Sequence, residues 1–210
     1  PISTLLPNTT LFRSDPVWLA LMTDYLGREQ DMSVVATADS KDSAMILAEG
    51  PVNVDVVLMD INLSGNLCDG IVAALHFFEK SSAKVIMLTA YNEKELVTNA
   101  ITAGACNYIQ KNNYREIPSA IRLAYRGSNP LESMLEDYRM LRELDIVKDL
   151  SPSEREILSL AKDGLTRVQM EETLHKSENT IKTQVKSIIS KMKVNSLKEA
   201  VNRLRFRGIH

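Results

Sequence analysis

The chain has 210 residues, 44% of them apolar and 25% charged, with a formal net charge of −2. That is an ordinary balance for a water-soluble globular protein, and the length fits one large or two small domains. No apolar run approaches the ~18 residues a membrane helix needs, no basic-then-apolar leader opens the chain, and Cys68, Cys106 and three scattered histidines offer no zinc spacing. A cytoplasmic protein with two reduced thiols is the expectation.

The net charge hides an asymmetry. Residues 150–210 hold 12 Lys and Arg against 7 Asp and Glu, a net of +5, whereas the preceding residues hold 13 against 20, a net of −7. A basic tail behind an acidic front suggests that the tail meets a polyanion.

In chain order, the first part alternates short apolar runs with amphipathic stretches. Strands are expected at Thr10–Phe12, Ser33–Thr37, Val54–Met59, Lys84–Leu88 and Cys106–Ile109. Helices are expected at Val17–Leu26 (stopped by Gly27), Lys41–Glu49, Gly70–Lys80, Glu93–Ala103 (capped by Gly104) and Tyr114–Arg126. Strands alternating with helices predict a doubly wound, five-stranded parallel sheet covered on both faces, an α/β domain over residues 1–127. In such sheets the functional crevice lies beyond the carboxyl ends of the strands. There fall Arg13, Ser14 and Asp15, then Asp60, Thr89 with Ala90, and Lys111.

Gly127-Ser-Asn-Pro130 breaks the chain, and Leu131 to Lys148 then reads as one helix within a linker over residues 128–149. It either packs on a domain or joins two protomers as a short coiled coil.

From Leu150 to His210 the pattern is all helical. Ser151-Pro-Ser-Glu154 carries a hydroxyl N-cap, a first-turn Pro and a capping-box Glu, and Gly164 ends that helix. A short helix spans Arg167–Leu174, His175-Lys-Ser177 turns, and a longer helix spans Glu178–Met192 before the last, Leu197–Arg205. Two helices joined by a three-residue turn form a helix-turn-helix. Ile181, Val185, Ile188 and Met192 share the buried face of the second helix, leaving Lys182, Thr183, Lys186 and Ser190 outward. Lys182, Thr183 and Lys186 are the candidate groove readers. Thr166, Arg167, Ser177, Thr180 and Lys191 are the candidate phosphate contacts. A four-helix bundle with a solvated basic face has the same periodicity.

Residues 150–158, Gly164-Leu165, the run Ser177-Glu-Asn-Thr-Ile-Lys-Thr-Gln-Val185 and Ala200-Val201 resemble the LuxR-type helix-turn-helix, which implies a DNA-binding domain. Glu171 and Lys176 depart from the family's small and apolar residues at those positions.

The front resembles the flavodoxin-like receiver domain of response regulators, in the NarL/FixJ-like subfamily. The resemblance is carried by Leu58-Met-Asp60-Ile-Asn-Leu-Ser-Gly65, Asp69-Gly70, Leu88-Thr89-Ala90, Ala103-Gly-Ala105, Tyr108 and Lys111. It implies Asp60 as phosphoacceptor, Thr89 and Tyr108 as a switch pair, and Lys111 as the phosphate-binding lysine. It further implies a homodimer on double-stranded DNA, and a histidine kinase or other regulatory protein as partner. Mg²⁺ is the cofactor it implies, but Arg13 and Ser14 stand where receivers carry two adjacent acids. That leaves Asp60 and the carbonyl of Asn62, joined by Asp15 if the alignment slips by one residue. If Arg13 instead points inward, it pairs with Asp60, takes the metal's place, and leaves a receiver that is locked or poorly phosphorylated. An aspartyl-phosphate enzyme of the dehalogenase type needs a second Asp two residues after the nucleophile; Asn62 stands there. The expectation is therefore a transcription regulator rather than an enzyme, controlled through Asp60 or, alternatively, by a partner or ligand without phosphate.

Overall fold

In the computed structural model the structure describes residues 7–13, 15–63, 69–90, 94–127 and 130–205. The chain divides into two compact units, residues 1–137 and 138–210.

The first unit alternates β1 (Asn8–Phe12), α1 (Pro16–Gly27), β2 (Ser33–Ala38), α2 (Lys41–Glu49), β3 (Val56–Asp60), α3 (Asp69–Lys80), β4 (Lys84–Thr89), α4 (Lys94–Thr102), β5 (Asn107–Gln110) and α5 (Ile117–Arg126). All strand pairs are parallel and their order is β2-β1-β3-β4-β5, the doubly wound sheet that alternation predicts. β3 sits centrally and every one of its residues is buried. Because successive strand residues point to opposite faces, Val56 and Leu58 join a cluster with Met22 and Leu26 of α1 and Ile117 and Ile121 of α5. On the other parity, Phe12 meets Phe77 of α3 at 5.2 Å between ring centroids.

Several boundaries differ from the sequence expectation. β3 begins at Val56 and includes Asp60, so the acid is the strand's last residue rather than the one after it. β5 runs one residue later than expected. Gly27 lies inside α1, which is capped at Arg28. The helix expected from Tyr114 is two pieces: a 3-10 segment over Lys111–Glu116, then α5. Pro118 explains the break, since a residue without N–H suits a first helical turn and not an interior one. Gly104 does follow α4, at φ +108, and a Cβ there would come within 2.4 Å of Phe78. The expected start at Glu93 lies outside the described residues.

The linker helix α6 spans Pro130–Ile146, and the boundary between the two units falls inside it. The second unit continues with α7 (Pro152–Lys162), α8 (Arg167–Leu174), α9 (Glu178–Met192) and α10 (Leu197–Arg205). Capping boxes start α7 at Ser151 and Glu154, and α8 at Thr166 and Gln169; Ser177 caps α9. His175 closes α8 in the left-handed region at φ 52, which sets up the turn into α9. Ile181, Val185, Ile188 and Met192 are all buried against Ile157, Leu158, Met170 and Ala200, as their spacing predicts. No described helix is long and apolar enough to cross a membrane.

Candidate functional sites

The sheet places Asp60, Thr89 and Lys111 at the carboxyl ends of three adjacent strands. Asp60 is 3% exposed and Thr89 1%. With Arg13, Ile61, Asn62 and Ala90 they line a cleft of about 200 Å³. Gly70 brings α3 close behind: its N–H donates to the carbonyl of Ile61 at 3.0 Å, and a Cβ on it would lie 1.8 Å from the carbonyl oxygen of Asp60. Only glycine lets the helix approach that strand end so closely.

Asp60 is held by charge. Lys111 Nζ donates to its Oδ2 at 2.7 Å, and Arg13 Nη1 lies 3.8 Å from the same oxygen. The backbone N–H of Asn62 donates to Oδ1 at 3.1 Å. Arg13 is positioned from three sides. Its backbone N–H extends the β1–β2 ladder to Ala38, its Nη2 pairs with Asp15 at 3.3 Å, and its guanidinium lies over the Trp18 ring at 4.5 Å. Arg13 Nε and Nη1 are buried with no hydrogen-bond acceptor among the described residues.

Asp15 is occupied elsewhere. Its Oδ1 accepts from the N–H groups of Val17 and Trp18 at 3.0 and 3.2 Å, capping α1. Those backbone bonds, the Trp18 one foremost, together with Arg13 hold its carboxyl below the usual carboxylate range. This geometry does not suit a divalent cation. Mg²⁺ demands several oxygen ligands in near-octahedral array, whereas here Asp15 serves as a helix cap and a guanidinium faces Asp60. No group of three His, Cys, Asp or Glu among the described residues is arranged to hold a metal. Ser14 and Ser64 lie outside the described residues.

Thr89 and Tyr108 share a side-chain hydrogen bond, joining the cleft to β5. Burial raises the Tyr108 hydroxyl pKa against the lowering effect of that bond.

In the second unit, Lys182, Thr183, Lys186 and Ser190 stand exposed along α9. Lys182 pairs with Glu178 at 2.6 Å, one turn back. Thr183 Oγ1 donates to the carbonyl of Asn179 at 2.8 Å, which turns its methyl and acceptor lone pairs outward. Lys186 makes no ion pair among the described residues. Thr166 and Ser177 are spent partly as caps, and the Ser177 and Thr180 hydroxyls bond each other at 2.9 Å. Arg167, the first residue of α8, is exposed. Lys191 is different. Its Nζ sits 2.8 and 3.1 Å from the two oxygens of Glu154, which is 5% exposed. Burial pushes the Glu154 carboxyl up, but hydrogen bonds from Lys191, Ser187 and Ser151 outweigh it and leave a pKa of about 2. Lys176, odd by family pattern, reaches from the turn to Ser153 of α7 and Gln184 of α9, binding three segments together.

Sequence reasoning missed the roles of Trp18, Gly70 and Glu154. Trp18 carries no signal beyond being the sole tryptophan near Arg13. Glu154 was legible as a cap but not as one half of a buried ion pair.

A sheet with a charged acid pocket at the carboxyl ends of its strands, followed along the chain by a helix-turn-helix with an exposed polar face, defines a class of non-enzymatic, signal-receiving transcription regulators. This chain belongs to the response regulators that join a receiver domain to a LuxR-type domain. The family model for the response regulator receiver domain matches residues 14–122, and that for bacterial regulatory proteins of the luxR family matches residues 148–204. The transcriptional regulatory protein LiaR of Bacillus subtilis is 33% identical over 184 residues, covering 84% of this chain and 86% of LiaR. The response regulator VraR of Staphylococcus aureus is 29% identical, covering 86% and 87%. Among solved structures, Salmonella typhimurium RcsB matches with a TM-score of 0.52 at 22% identity, covering 95% of this chain and 98% of that one. An RcsB–DNA complex matches at 0.51 and 21%, covering 98% and 100%.

Proposed function

We propose that this response regulator binds double-stranded DNA through α9 as a homodimer in the cytoplasm, and that the charge state of the Asp60 pocket gates dimerisation or DNA binding. A histidine kinase or another regulatory protein supplies the signal. Lys182, Thr183 and Lys186 form the groove-facing surface, with Lys186 the group best placed to donate to guanine O6 and N7. Thr166, Arg167, Ser177 and Thr180 flank it at two helix N-termini, where backbone N–H groups favour phosphate.

The observation that carries the gating is the buried Asp60 carboxylate held by two cations beside Thr89. A change of charge on Asp60 pulls Thr89 and loosens its bond to Tyr108, a local event that biases a two-state element. The test is selection of a DNA site from a random pool by the full chain, followed by binding of wild type and Asp60→Asn. A salt-dependent, sequence-selective complex whose affinity shifts with Asp60→Asn is expected. Failure to bind any DNA at low salt refutes the DNA-binding reading; identical binding by the variant refutes the gate.

Arg13 favours a second reading, control by a partner or ligand with Asp60 never modified. The guanidinium then acts as a fixed counter-charge and the pocket as a structural lock. In that case Arg13→Ala alters DNA binding, whereas treatment with a phosphoryl donor does not.

A further inference from the structure

The misfit between this pocket and a divalent cation has a chemical consequence. A carboxylate accepts a phosphoryl group only where positive charge neutralises what develops on the phosphoryl oxygens. Receivers of this family draw that charge largely from a metal held by acids; here the acids are gone and a guanidinium stands in the cleft. Asp60 contributes one negative charge to the pocket, against Lys111 and Arg13 on the same oxygen at 2.7 and 3.8 Å. Among the groups that line the cleft, positive charge thus exceeds negative by one; Asp15, which pairs with Arg13 at 3.3 Å, stands outside that lining with its side chain 47% exposed, where solvent screens it. A phosphoaspartate carrying about two negative charges balances that excess fully, and no ion need enter from solution.

We propose that Asp60 accepts a phosphoryl group from a small acyl phosphate without any divalent cation, with Arg13 as the resident charge that replaces the metal. The inference rests on the reading of Asp60 as the gate. Its second support is the state of Arg13 itself: Nε and Nη1 are buried and lack an acceptor among the described residues. Of these, Nη1 lies 3.8 Å from Asp60 Oδ2, so its unused N–H is within reach of an oxyanion formed on that carboxylate, a charge-assisted hydrogen bond of the kind guanidinium groups make to phosphoryl oxygens. Asp15 and the Trp18 face are positioning groups that keep the fork at the cleft.

In the reaction Asp60 Oδ1 attacks phosphorus. The new bond is Oδ1–P; the P–O bond to the acyl group breaks, and its electron pair leaves on the departing carboxylate. No proton changes hands. Lys111 and Arg13 move from Oδ2 to the phosphoryl oxygens, and the 200 Å³ cleft beside Asn62 and Thr89 receives the group.

The test is incubation of the full chain with acetyl phosphate, in EDTA and separately in Mg²⁺, with incorporation read by intact mass and by peptide mapping to Asp60. Inorganic phosphate serves as a control for binding without transfer. Comparable incorporation in both buffers is expected, absent in Asp60→Asn and slowed on the order of a hundredfold in Arg13→Ala. Arg13→Asp is expected to lose incorporation in EDTA and to regain it with Mg²⁺, which a merely structural arginine would not do. Incorporation that requires Mg²⁺ in the wild type overturns the proposal, as does its absence in both buffers. If incorporation is absent but Asp60→Asn still shifts DNA affinity, the gate stands and this chemistry falls.

Discussion

Replacing Glu154 by Gln tests the electrostatics of the DNA-binding unit. The amide keeps an oxygen for the Ser151 N–H, which Glu154 Oε2 accepts at 2.7 Å, so the helix cap survives. What disappears is the charge facing Lys191. The folded carboxyl stands at about 2 against an ordinary 4.5, and linkage turns that gap into a ceiling of roughly 3 kcal/mol. The Lys191 side chain is 39% exposed, so solvent screens the pair, and a loss of about 1.5–2 kcal/mol is expected after that discount. For a unit of this size the change lowers the melting temperature by roughly 10 °C. Because the folded pKa lies below the unfolded one, the contribution is fully present above pH 4.5 and vanishes as pH falls through about 2. The stability gap between wild type and Glu154→Gln should therefore be constant near neutrality and close progressively in acid. Far-UV circular dichroism melts measure the gap, and hydrogen exchange assigns it to residues 152–205. A gap that does not change between pH 6 and pH 3 refutes the ion-pair account.

Lys186→Ala should weaken specific DNA binding by about 1–3 kcal/mol if Lys186 reads a base, and equal weakening on every sequence would assign it to phosphate. Lys191→Ala should lower thermal stability while leaving the salt dependence of DNA binding unchanged, because Glu154 already holds that ammonium; a shallower salt slope would return Lys191 to the phosphate contacts. Gly70→Ala should destabilise the receiver unit by more than about 3 kcal/mol, since backbone rather than a flexible side chain opposes the added methyl. A chemical denaturation midpoint near that of wild type would contradict the close approach.

The fold was legible where periodicity is strong. The apolar run ending at Met59 marked the central strand, and the spacing of Ile181, Val185, Ile188 and Met192 marked the buried face of α9. Boundaries were less legible, because they turn on single residues: Pro118 splits the expected helix at Tyr114, and Gly27 sits within a helix it was expected to stop. The missing acids at positions 13 and 14 pointed to Arg13, and the structure brings its guanidinium to Asp60. The fate of Asp15 was not legible, since a carboxylate one residue before a Pro-initiated helix is both a cap and a ligand candidate, and only geometry decides. The pairing of Lys191 with Glu154 was not legible for a related reason. Its partner lies 37 positions away, on another helix, a distance over which sequence pattern says nothing about pairing.

The stacking of Arg13 on Trp18 gives the Asp60 pocket an optical readout. Trp18 is the only tryptophan of the chain, and the guanidinium 4.5 Å over its ring imposes an electric field on the indole. Any process that draws Arg13 toward or away from Asp60 changes that field, and with it the wavelength and intensity of emission. The protein thus carries an unlabelled, single-site gauge of its own pocket, readable in the full chain.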